Sequence, residues 1–442
     1  MTSGSAAAAV PVAPIGTHGL LLFLLQFGLL LGLALALGRL AVRLRMPAVV
    51  GELAAGVLAG PSLFAWLAPE PSAWLLPPDA AQLHLLDAVS QLGVLLLVGV
   101  TGMHIDLGLV RRKGVAAAWV SAGGLLVPLG TGIGLGLVLP STLRAADTDR
   151  AVFALFLGVA LCVSAIPVIA KTLLDLRLLH RDIGQLIVSA AAVDDVVGWL
   201  LLSLVSALAT TGLLAGQLAL SVISLVAVLV LTVVVGRPVV DATLRLCGRS
   251  SEPGTGIAAV VVLLVLAAAG THAAGLEALL GALLCGVLIG SSGHLDRVRL
   301  APLRTLVTAV LAPIYFATAG LRMDLTVLGR PSVLAAAALV LLFAVVAKFA
   351  GAYAGARVGR LGHWEALALG SGLNARGVIQ VIVATAGLRF GVLSSTGYTI
   401  VVLVAIATSL MAPPSLRYAV RRIPATDAER ARAKVLDGTE QR

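Results

Sequence analysis

Long apolar runs alternate along the chain with short loops that hold most of its arginines. A helix that crosses a bilayer needs about 20 mainly apolar residues, and thirteen runs meet or approach that length. They are too long for tilted membrane strands and lack the alternation of such strands. The pattern therefore predicts an all-α polytopic membrane protein with about 13 transmembrane helices, which cover residues 19–38, 47–68, 84–104, 114–140, 151–170, 185–210, 217–236, 256–270, 274–290, 305–320, 333–356, 364–388 and 396–416.

The composition supports this assignment. The 442 residues are 59% hydrophobic and only 12% charged, whereas a soluble domain carries roughly 25% charged residues. So few polar side chains cannot cover a water-soluble enzyme or a nucleic-acid-binding domain. Three scattered cysteines indicate neither a disulfide framework nor a metal cluster. We therefore predict one membrane domain over residues 19–416, between a short extracellular segment at 1–18 and a short cytoplasmic tail at 417–442.

The basic residues indicate how the chain is oriented. With the N-terminus outside, the segments on the cytoplasmic side carry 24 Lys and Arg, and the extracellular loops carry 5. Membrane proteins concentrate Lys and Arg on the cytoplasmic side. The formal net charge of +10 is thus explained by topology rather than by a nucleic-acid partner. The chain is predicted to lie in the cell membrane with its C-terminus in the cytoplasm.

The sequence contains a weak internal repeat. GELAAGVLAGPS (51–62) and GALLCGVLIGSS (281–292) agree at seven of twelve positions, and the next spans end in TGMHIDL (101–107) and AGLRMDL (319–325). The paired spans are seven apart, an odd number, so the two copies cross the membrane in opposite directions. Inverted repeats, here approximately 47–210 and 274–416, are typical of secondary transporters.

Two spans at corresponding places in the copies are interrupted by small and polar residues. The fifth contains Cys162 and Ser164. The twelfth contains Ser371, Asn374 and Arg376 among several glycines. Small residues also let membrane helices pack closely, but the matched pair favours two broken helices that line a transport site near the bilayer midplane.

Four charged residues fall inside the spans: Asp194, Asp195, Lys348 and Arg376. Each costs about 2.5–3.5 kcal/mol at the bilayer centre on insertion scales. At about 1.5 Å per residue, the aspartates and Lys348 each lie roughly 14 Å from the cytoplasmic end of their helix. We therefore expect one carboxylate to pair with Lys348 and its neighbour to face a water-filled cavity. A pair that only fixes helix packing is the alternative, but it leaves the second aspartate unexplained.

Lys348 is one of only 4 lysines beside 27 arginines. A buried lysine can release its proton, whereas an arginine effectively cannot, so this position suits a group that takes part in proton coupling. Arg376 is predicted to anchor helix ends or to pair with an acid. The remaining polar residues of the spans are assigned structural roles, which are capping or snorkelling for Glu52 and Glu277, packing for Cys162, and interfacial contacts for His104 and His272.

Three stretches of the sequence resemble the monovalent cation/proton antiporter family, which includes bacterial sodium/proton exchangers, the membrane half of potassium-efflux antiporters and plant cation/proton exchangers. The most specific is VSAIPVIAKTLLDLRLLHRDIGQLIVSAAAVDDVVGW (163–199), which contains the paired aspartates. MPAVVGELAAGVLAGPS (46–62) is similar to the family's second-span motif. AKFAGAYAGARVGRL (347–361), followed by NARGVI (374–379), is similar to its late core.

The resemblance implies an antiporter that exchanges Na⁺ or K⁺ for protons, and not an enzyme. Asp195 would be the principal cation and proton carboxylate, and Asp194 would be the partner of the coupled lysine, Lys348. The family fold implies a homodimer, an elevator-like movement of a six-helix core, and no cofactor, resident metal or nucleic-acid partner. The crossed broken helices would line the site with Cys162, Ser164, Ser371, Asn374 and Arg376.

Several positions depart from the family pattern. Relatives often carry an acid where this chain has His104, and an acid and then a histidine where it has His272 and then Glu277. Many have Glu in place of Gln380. Two other interpretations stay open: a channel or symporter on the same scaffold and, permitted by these altered positions, a protein that has lost transport and acts as a sensor or membrane enzyme. The intact pair of aspartates and the buried lysine argue against the second.

Overall fold

The computed structural model of the chain describes residues 15–427 and 429, apart from 45, 78, 104–106, most of 165–180, 212–214, 249–251 and 293–298. Within these residues the regular elements are helices. In chain order they are α1 (Thr17–Arg43), α2 (Ala48–Ala59), α3 (Phe64–Leu67), α4 (Pro69–Leu75), α5 (Ala80–Met103), α6 (Leu107–Val138), α7 (Arg150–Cys162), α8 (Asp182–Thr211), α9 (Ala215–Leu231), α10 (Arg237–Gly248), α11 (Pro253–Ala273), α12 (Ala278–Ser291), α13 (Ala301–Leu306), α14 (Ala312–Leu321), α15 (Pro331–Val358), α16 (His363–Leu373), α17 (Val378–Arg389) and α18 (Ser395–Val420).

The helices confirm the prediction of an all-α, multi-pass membrane protein. In the part of the chain that the structure describes, 10 helices are long and apolar enough to cross a membrane. Three shorter apolar helices, Arg150–Cys162, Ala278–Ser291 and Ile379–Arg389, add to them. The eighth predicted span, 256–270, is longer than expected, because α11 begins at Pro253, and proline is well suited to the first turn of a helix.

Most of the membrane helices pack into two groups; the span formed by α9 and α10 lies outside both, with α9 against α8 and α10 against α11 and α12. We call the first group, α1, α2, α5, α11, α12 and α14, the scaffold bundle. We call the second, α6, α7, α8, α15, α16, α17 and α18, the core bundle. Contacts are extensive within each bundle and sparse between the two, where α12 meets α8 and α14 meets α17. The two interrupted spans and the four charged residues predicted to lie deep in the membrane, Asp194, Asp195, Lys348 and Arg376, all belong to the core bundle.

Glycines form the closest helix crossings of the scaffold bundle. A Cβ on Gly320 of α14 would lie 3.0 Å from the Cα of Gly56 in α2, and a Cβ on Gly102 of α5 would lie 3.2 Å from the Cα of Gly286 in α12. In the sequence repeat, Gly56 corresponds to Gly286 and Gly102 corresponds to Gly320. Each crossing thus joins the two copies through equivalent positions, as expected for an inverted repeat.

Candidate ion-binding site

The second predicted helix break lies between α16 and α17. Helix α16 ends at Leu373, residues Asn374 to Gly377 are not helical, and α17 begins at Val378. Gly377 has φ 149° and ψ −107°, a conformation that residues with a side chain rarely adopt. The glycine at 377 therefore permits the positive φ that separates α16 from α17, so that a second half-helix can begin inside the core bundle.

The first break lies at the end of α7 and meets the second one. Helix α7 ends at Cys162, and Val163 is extended with φ −71° and ψ 137°. The single proton of the Ser164 hydroxyl is shared between the Asp194 carboxylate, at 2.9 Å, and the carbonyl oxygen of Leu373, at 3.2 Å. Leu373 is the last residue of α16. The two interrupted helices are therefore hydrogen-bonded to each other at their broken ends.

At this meeting point Lys348 of α15 pairs with Asp194 of α8. The Nζ–Oδ2 distance is 2.6 Å, and both side chains are fully buried. Nζ also donates to the carbonyl oxygens of Gly124, at 2.9 Å, and Cys162, at 2.6 Å. An ammonium group has three donors, so all three are used. The released carbonyl of Cys162, at the end of α7, is one of the acceptors.

Asp194 is held on its other sides by two serine hydroxyls. Ser121 of α6 donates to Oδ1 at 2.5 Å, and Ser164 donates to Oδ2 at 2.9 Å. A buried carboxylate without such donors is strongly destabilising. The carboxylate is therefore compensated both by charge and by hydrogen bonds from α6, from α15 and from the break after α7.

A close crossing of α6 and α15 brings the backbone of α6 next to Lys348. A Cβ on Gly123 would lie 2.2 Å from the carbonyl oxygen of Gly351, and a Cβ on Gly351 would lie 2.2 Å from that of Gly123. Only glycine at both positions permits this approach, which places the Gly124 carbonyl within reach of Lys348. Ser121 and Gly124 carry no charge and were not among the predicted site residues. The signal for them was the run SAGG (121–124), opposite the small residues that follow Lys348 in α15.

The other predicted site residues lie around this pair with different degrees of contact. Asp195, next to Asp194 in α8, is 1% exposed. Ser371 is buried in α16, and the Asn374 amide lies 3.5 Å from the carbonyl oxygen of Val345. The Cys162 side chain is buried and its thiol contacts the carbonyl oxygen of Val159 at 3.3 Å. The structure therefore gathers the predicted residues of the two breaks in one buried region.

Arg376 anchors the second break. Its Nη2 donates to the carbonyl oxygen of Ala344 at 2.7 Å, one helical turn before Lys348, and its own carbonyl oxygen accepts a hydrogen bond from the Ser409 hydroxyl. The residue is fully buried. Among the described residues no carboxylate bonds to its guanidinium, so of the two predicted roles the structure favours the anchoring of helix ends.

The structural roles predicted outside the core are only partly correct. Glu277 precedes α12 without a side-chain capping bond and is 1% exposed, so it neither caps nor snorkels. Its carboxylate instead bonds to Arg389, because the packing of two distant helix ends brings a cation to it. Gln380 is buried in α17 and His272 is exposed at the end of α11. His104 lies outside the described residues.

Comparison with known proteins agrees with the resemblance of the motifs. The family described as "Sodium/hydrogen exchanger, transmembrane" matches residues 29–422. The Na⁺/H⁺ antiporter NhaS4 of Synechocystis sp. is 30% identical over 400 residues, which are 90% of this chain and 97% of that protein. The Na⁺/H⁺-K⁺ antiporter GerN of Bacillus cereus is 26% identical over 90% of this chain and 96% of its own length.

Other matches extend the comparison to a plant protein and to a solved structure. Cation/H⁺ antiporter 19 of Arabidopsis thaliana is 30% identical over 84% of this chain, which spans about half, 46%, of that protein. The sodium proton antiporter MjNhaP1 of Methanocaldococcus jannaschii has a similar fold, with a TM-score of 0.69 and 14% identity over 92% of this chain and 99% of its own. The chain therefore belongs to the sodium/hydrogen exchanger family of monovalent cation/proton antiporters, whose members are transporters and not enzymes.

Proposed function

We propose that this protein is a secondary active antiporter that exchanges Na⁺ or K⁺ for protons across the cell membrane. The observation that carries the proposal is the fully buried Lys348–Asp194 pair, which lies where two helix breaks meet and beside a second buried aspartate. Ionisable residues within membrane helices are costly and mark ion pathways. The relatives named as antiporters of Na⁺, K⁺ and H⁺ support the same substrates.

In this proposal, Asp195 binds a proton and a cation alternately. Asp194 accepts hydrogen bonds from Lys348 and from two serine hydroxyls, which assigns it to the ion pair, and the family resemblance assigns the exchanged ions to Asp195. A carboxylate oxygen is a ligand for a hard cation and a base for a proton, and one site cannot hold both. Competition at a single carboxylate then couples the uptake of one ion to the release of the other.

Lys348 supplies a second proton. It pairs with Asp194 in the proton-loaded protein and loses a proton when a cation arrives, so that two protons exchange for one cation. Each cycle then moves one net charge, and a membrane potential drives exchange by about 2.3 kcal/mol per 100 mV. Lys348→Gln removes this titrating group, and any remaining exchange should be electroneutral. A wild-type rate that does not respond to an imposed potential would contradict the two-proton cycle.

We further propose that the core bundle moves against the scaffold bundle to expose the site to each side in turn. The sparse contacts between the bundles support this, since within each bundle the helices pack closely. The site lies within the core bundle, so a rigid movement carries it intact. Alternating access of this kind is typical of transporters built from inverted repeats.

The direct test uses purified protein in vesicles with an imposed pH gradient. Adding Na⁺ or K⁺ should dissipate the gradient for the wild type, and a series of Li⁺, Na⁺, K⁺ and Rb⁺ should give its ion preference. Asp195→Asn should abolish exchange and leave the fold intact. The control is Asp147→Asn, which removes an exposed carboxyl in a loop and should exchange normally. Wild-type activity in Asp195→Asn would refute the site.

Orientation and assembly are proposed on the same basis. The distribution of basic residues, 24 against 5, favours an extracellular N-terminus and a cytoplasmic C-terminus. A cysteine introduced near Ser3 should react with an impermeant maleimide in intact cells, and one near Asp437 should not. The reverse pattern would invert the topology. The resemblance also favours a homodimer, which native mass spectrometry would detect as twice the 44.8 kDa chain mass.

A further inference from the structure

Polar contacts between the scaffold and core bundles cluster at one end of the molecule, where α12 and α18 begin and α14 and α17 end. This is the predicted extracellular end, opposite the arginine-rich loops. The clustered contacts are Arg389 with Glu277, Arg389 with Gln91, Tyr315 with Thr385, and the Tyr398 hydroxyl with the carbonyl oxygen of Ala319. In the loop that follows α14, the Asp324 amide also donates to the Thr399 hydroxyl oxygen.

The strongest of these contacts is an ion pair between Arg389 and Glu277. The Arg389 Nη2 lies 2.6 Å from Oε1 and 2.9 Å from Oε2 of Glu277, and Nη1 lies 3.3 Å from Oε1 of Gln91. The Glu277 side chain is 1% exposed and that of Arg389 is 39% exposed. The guanidinium also lies over the Phe390 ring, 4.8 Å from its centroid. A buried carboxylate thus depends on one cation from the other bundle.

The two residues of this ion pair belong to different bundles. Glu277 immediately precedes α12 of the scaffold bundle, and Arg389 is the last residue of α17, the second half of the broken helix that contributes to the site. A movement of the core bundle against the scaffold bundle must therefore separate them. Separation leaves the Glu277 carboxylate without its counter-charge, which is strongly unfavourable at a buried position.

We propose that Glu277 and Arg389 form an extracellular lock, which stabilises the conformation that is closed to the outside and opens once in each transport cycle. This inference rests on the proposed function, because it requires the core bundle to move. The two residues do not bind the transported ion. They are positioning residues, which act on exchange through the relative energy of the two orientations of the core bundle.

A second ion pair at the same end supplies a matched control. Arg322 at the end of α14 pairs with Asp87 of α5, and their side chains are 30% and 32% exposed. Both residues belong to the scaffold bundle. A movement between bundles leaves this pair intact, so fastening it should not affect transport.

The first experiment fastens each pair in turn. Cys162 and Cys285 are buried, so only Cys247 is replaced by Ala. Glu277→Cys with Arg389→Cys is then joined by a short bifunctional methanethiosulfonate that reductant removes. Exchange in vesicles should fall more than about tenfold on cross-linking and recover on reduction, because only one orientation remains populated. Cross-linked Asp87→Cys with Arg322→Cys should keep its rate. Unchanged exchange in the cross-linked Glu277→Cys, Arg389→Cys protein would refute the lock.

The second experiment does not need transport. Thr385 of α17 is 7% exposed and faces Tyr315 across the bundle interface. In a Thr385→Cys background, adding Glu277→Gln should raise the rate at which an extracellular impermeant maleimide labels the cysteine about tenfold. Loss of the ion pair shifts the population toward the conformation that is open to the outside, and couplings of this kind typically change an equilibrium about 5- to 150-fold. Asp87→Asn in the same background should not. Equal labelling with and without Glu277→Gln would refute the lock, whereas a wild-type protein without exchange would instead refute the proposed function.

Discussion

The core and scaffold bundles both contain close helix crossings at paired glycines, but the crossings have different roles. In the scaffold, Gly56 crosses Gly320 between apolar helices. In the core, Gly123 crosses Gly351 one turn from Lys348, and the close approach brings a backbone carbonyl to a charged group. The first crossing contributes packing alone, and the second also compensates a buried charge. Close helix packing in this protein is therefore both a source of rigidity and a way to solvate an ion pair without water.

The ion pairs of the two bundles differ in their exposure to water. Lys348–Asp194 in the core is fully buried, whereas Arg322–Asp87 in the scaffold is about one-third exposed. Removing one partner of a buried pair leaves an uncompensated charge, whereas water replaces the partner of an exposed pair. The loss of stability when one partner is removed should therefore be larger for the buried pair, whose surroundings exclude water, than for the exposed pair.

Replacing the basic residue of each ion pair should produce the largest difference in stability between the two bundles. Lys348→Met leaves Asp194 buried without its counter-charge and should cost about 3–5 kcal/mol, measured as a loss in thermal stability in detergent. Arg322→Met should cost less than about 1 kcal/mol. Adding Asp194→Asn to Lys348→Met should restore much of the loss. Equal losses for the two single variants would contradict the contrast between the bundles.

The glycine crossings should show a smaller effect on stability and a different effect on exchange. Gly56→Ala and Gly123→Ala each place a Cβ about 2 Å from a backbone carbonyl oxygen, and each should cost about 1–3 kcal/mol. Only Gly123→Ala should also alter the pH dependence of exchange, because it displaces the backbone that contacts Lys348. Gly28→Ala, which has no neighbour within 4 Å, is the control. Identical pH profiles for Gly56→Ala and Gly123→Ala would contradict this.

Single hydroxyls should have a lesser effect again. Ser121→Ala removes one donor to Asp194 and should slow exchange roughly tenfold, since a bond to a charged group contributes about 1.5–3 kcal/mol. Ser90→Ala removes the donor to Thr318 in the scaffold, at 3.0 Å, and should leave exchange near the wild-type rate. A similar slowing in both variants would show that the Ser121 hydroxyl has no special relation to the ion pair.

The smallest effect is expected where the tail meets the core. Glu429 accepts hydrogen bonds from the amides of Asp182 and Thr426 and pairs with Arg181. Burial raises the pKa of Glu429, but these hydrogen bonds and the Arg181 charge outweigh it, so the pKa lies below its ordinary value of 4.5. A lowered pKa stabilises the fold above the ordinary value, and the contribution is lost as pH falls through the folded value.

Glu429→Gln should therefore lower Tm by about 2 °C or less at neutral pH. The difference from wild type should vanish as the pH falls below the ordinary carboxyl range. Thermal unfolding at a series of pH values measures it. A difference that persists unchanged in acid would show that the glutamate contributes through packing rather than through its charge.

Much of the site could be predicted from the sequence, because burial of charge in a membrane is expensive and therefore conspicuous. Depth along each helix was enough to predict that Lys348 meets an aspartate, and small polar residues at matched places predicted both breaks. Ser121 and the Gly124 carbonyl were missed because small residues occur throughout membrane helices. The contact of Ser121 with Asp194 depends on the packing of α6 against α8, and that of Gly124 with Lys348 depends on the crossing of α6 and α15, 224 residues apart in the chain.

The helical class, the apolar runs and the charges that had to be buried could all be predicted from the amino-acid sequence, since they follow from the length and polarity of each segment alone. Helix depth left open which aspartate pairs with Lys348; the family resemblance assigned Asp194, and the structure shows that pair. That Arg376 contacts a carbonyl rather than an acid, and that Glu277 reaches Arg389, follows from tertiary packing alone. Local pattern specifies whether a segment enters the bilayer. Which side chains meet depends on helix rotation and crossing, and these are set by packing between segments that are distant in the chain.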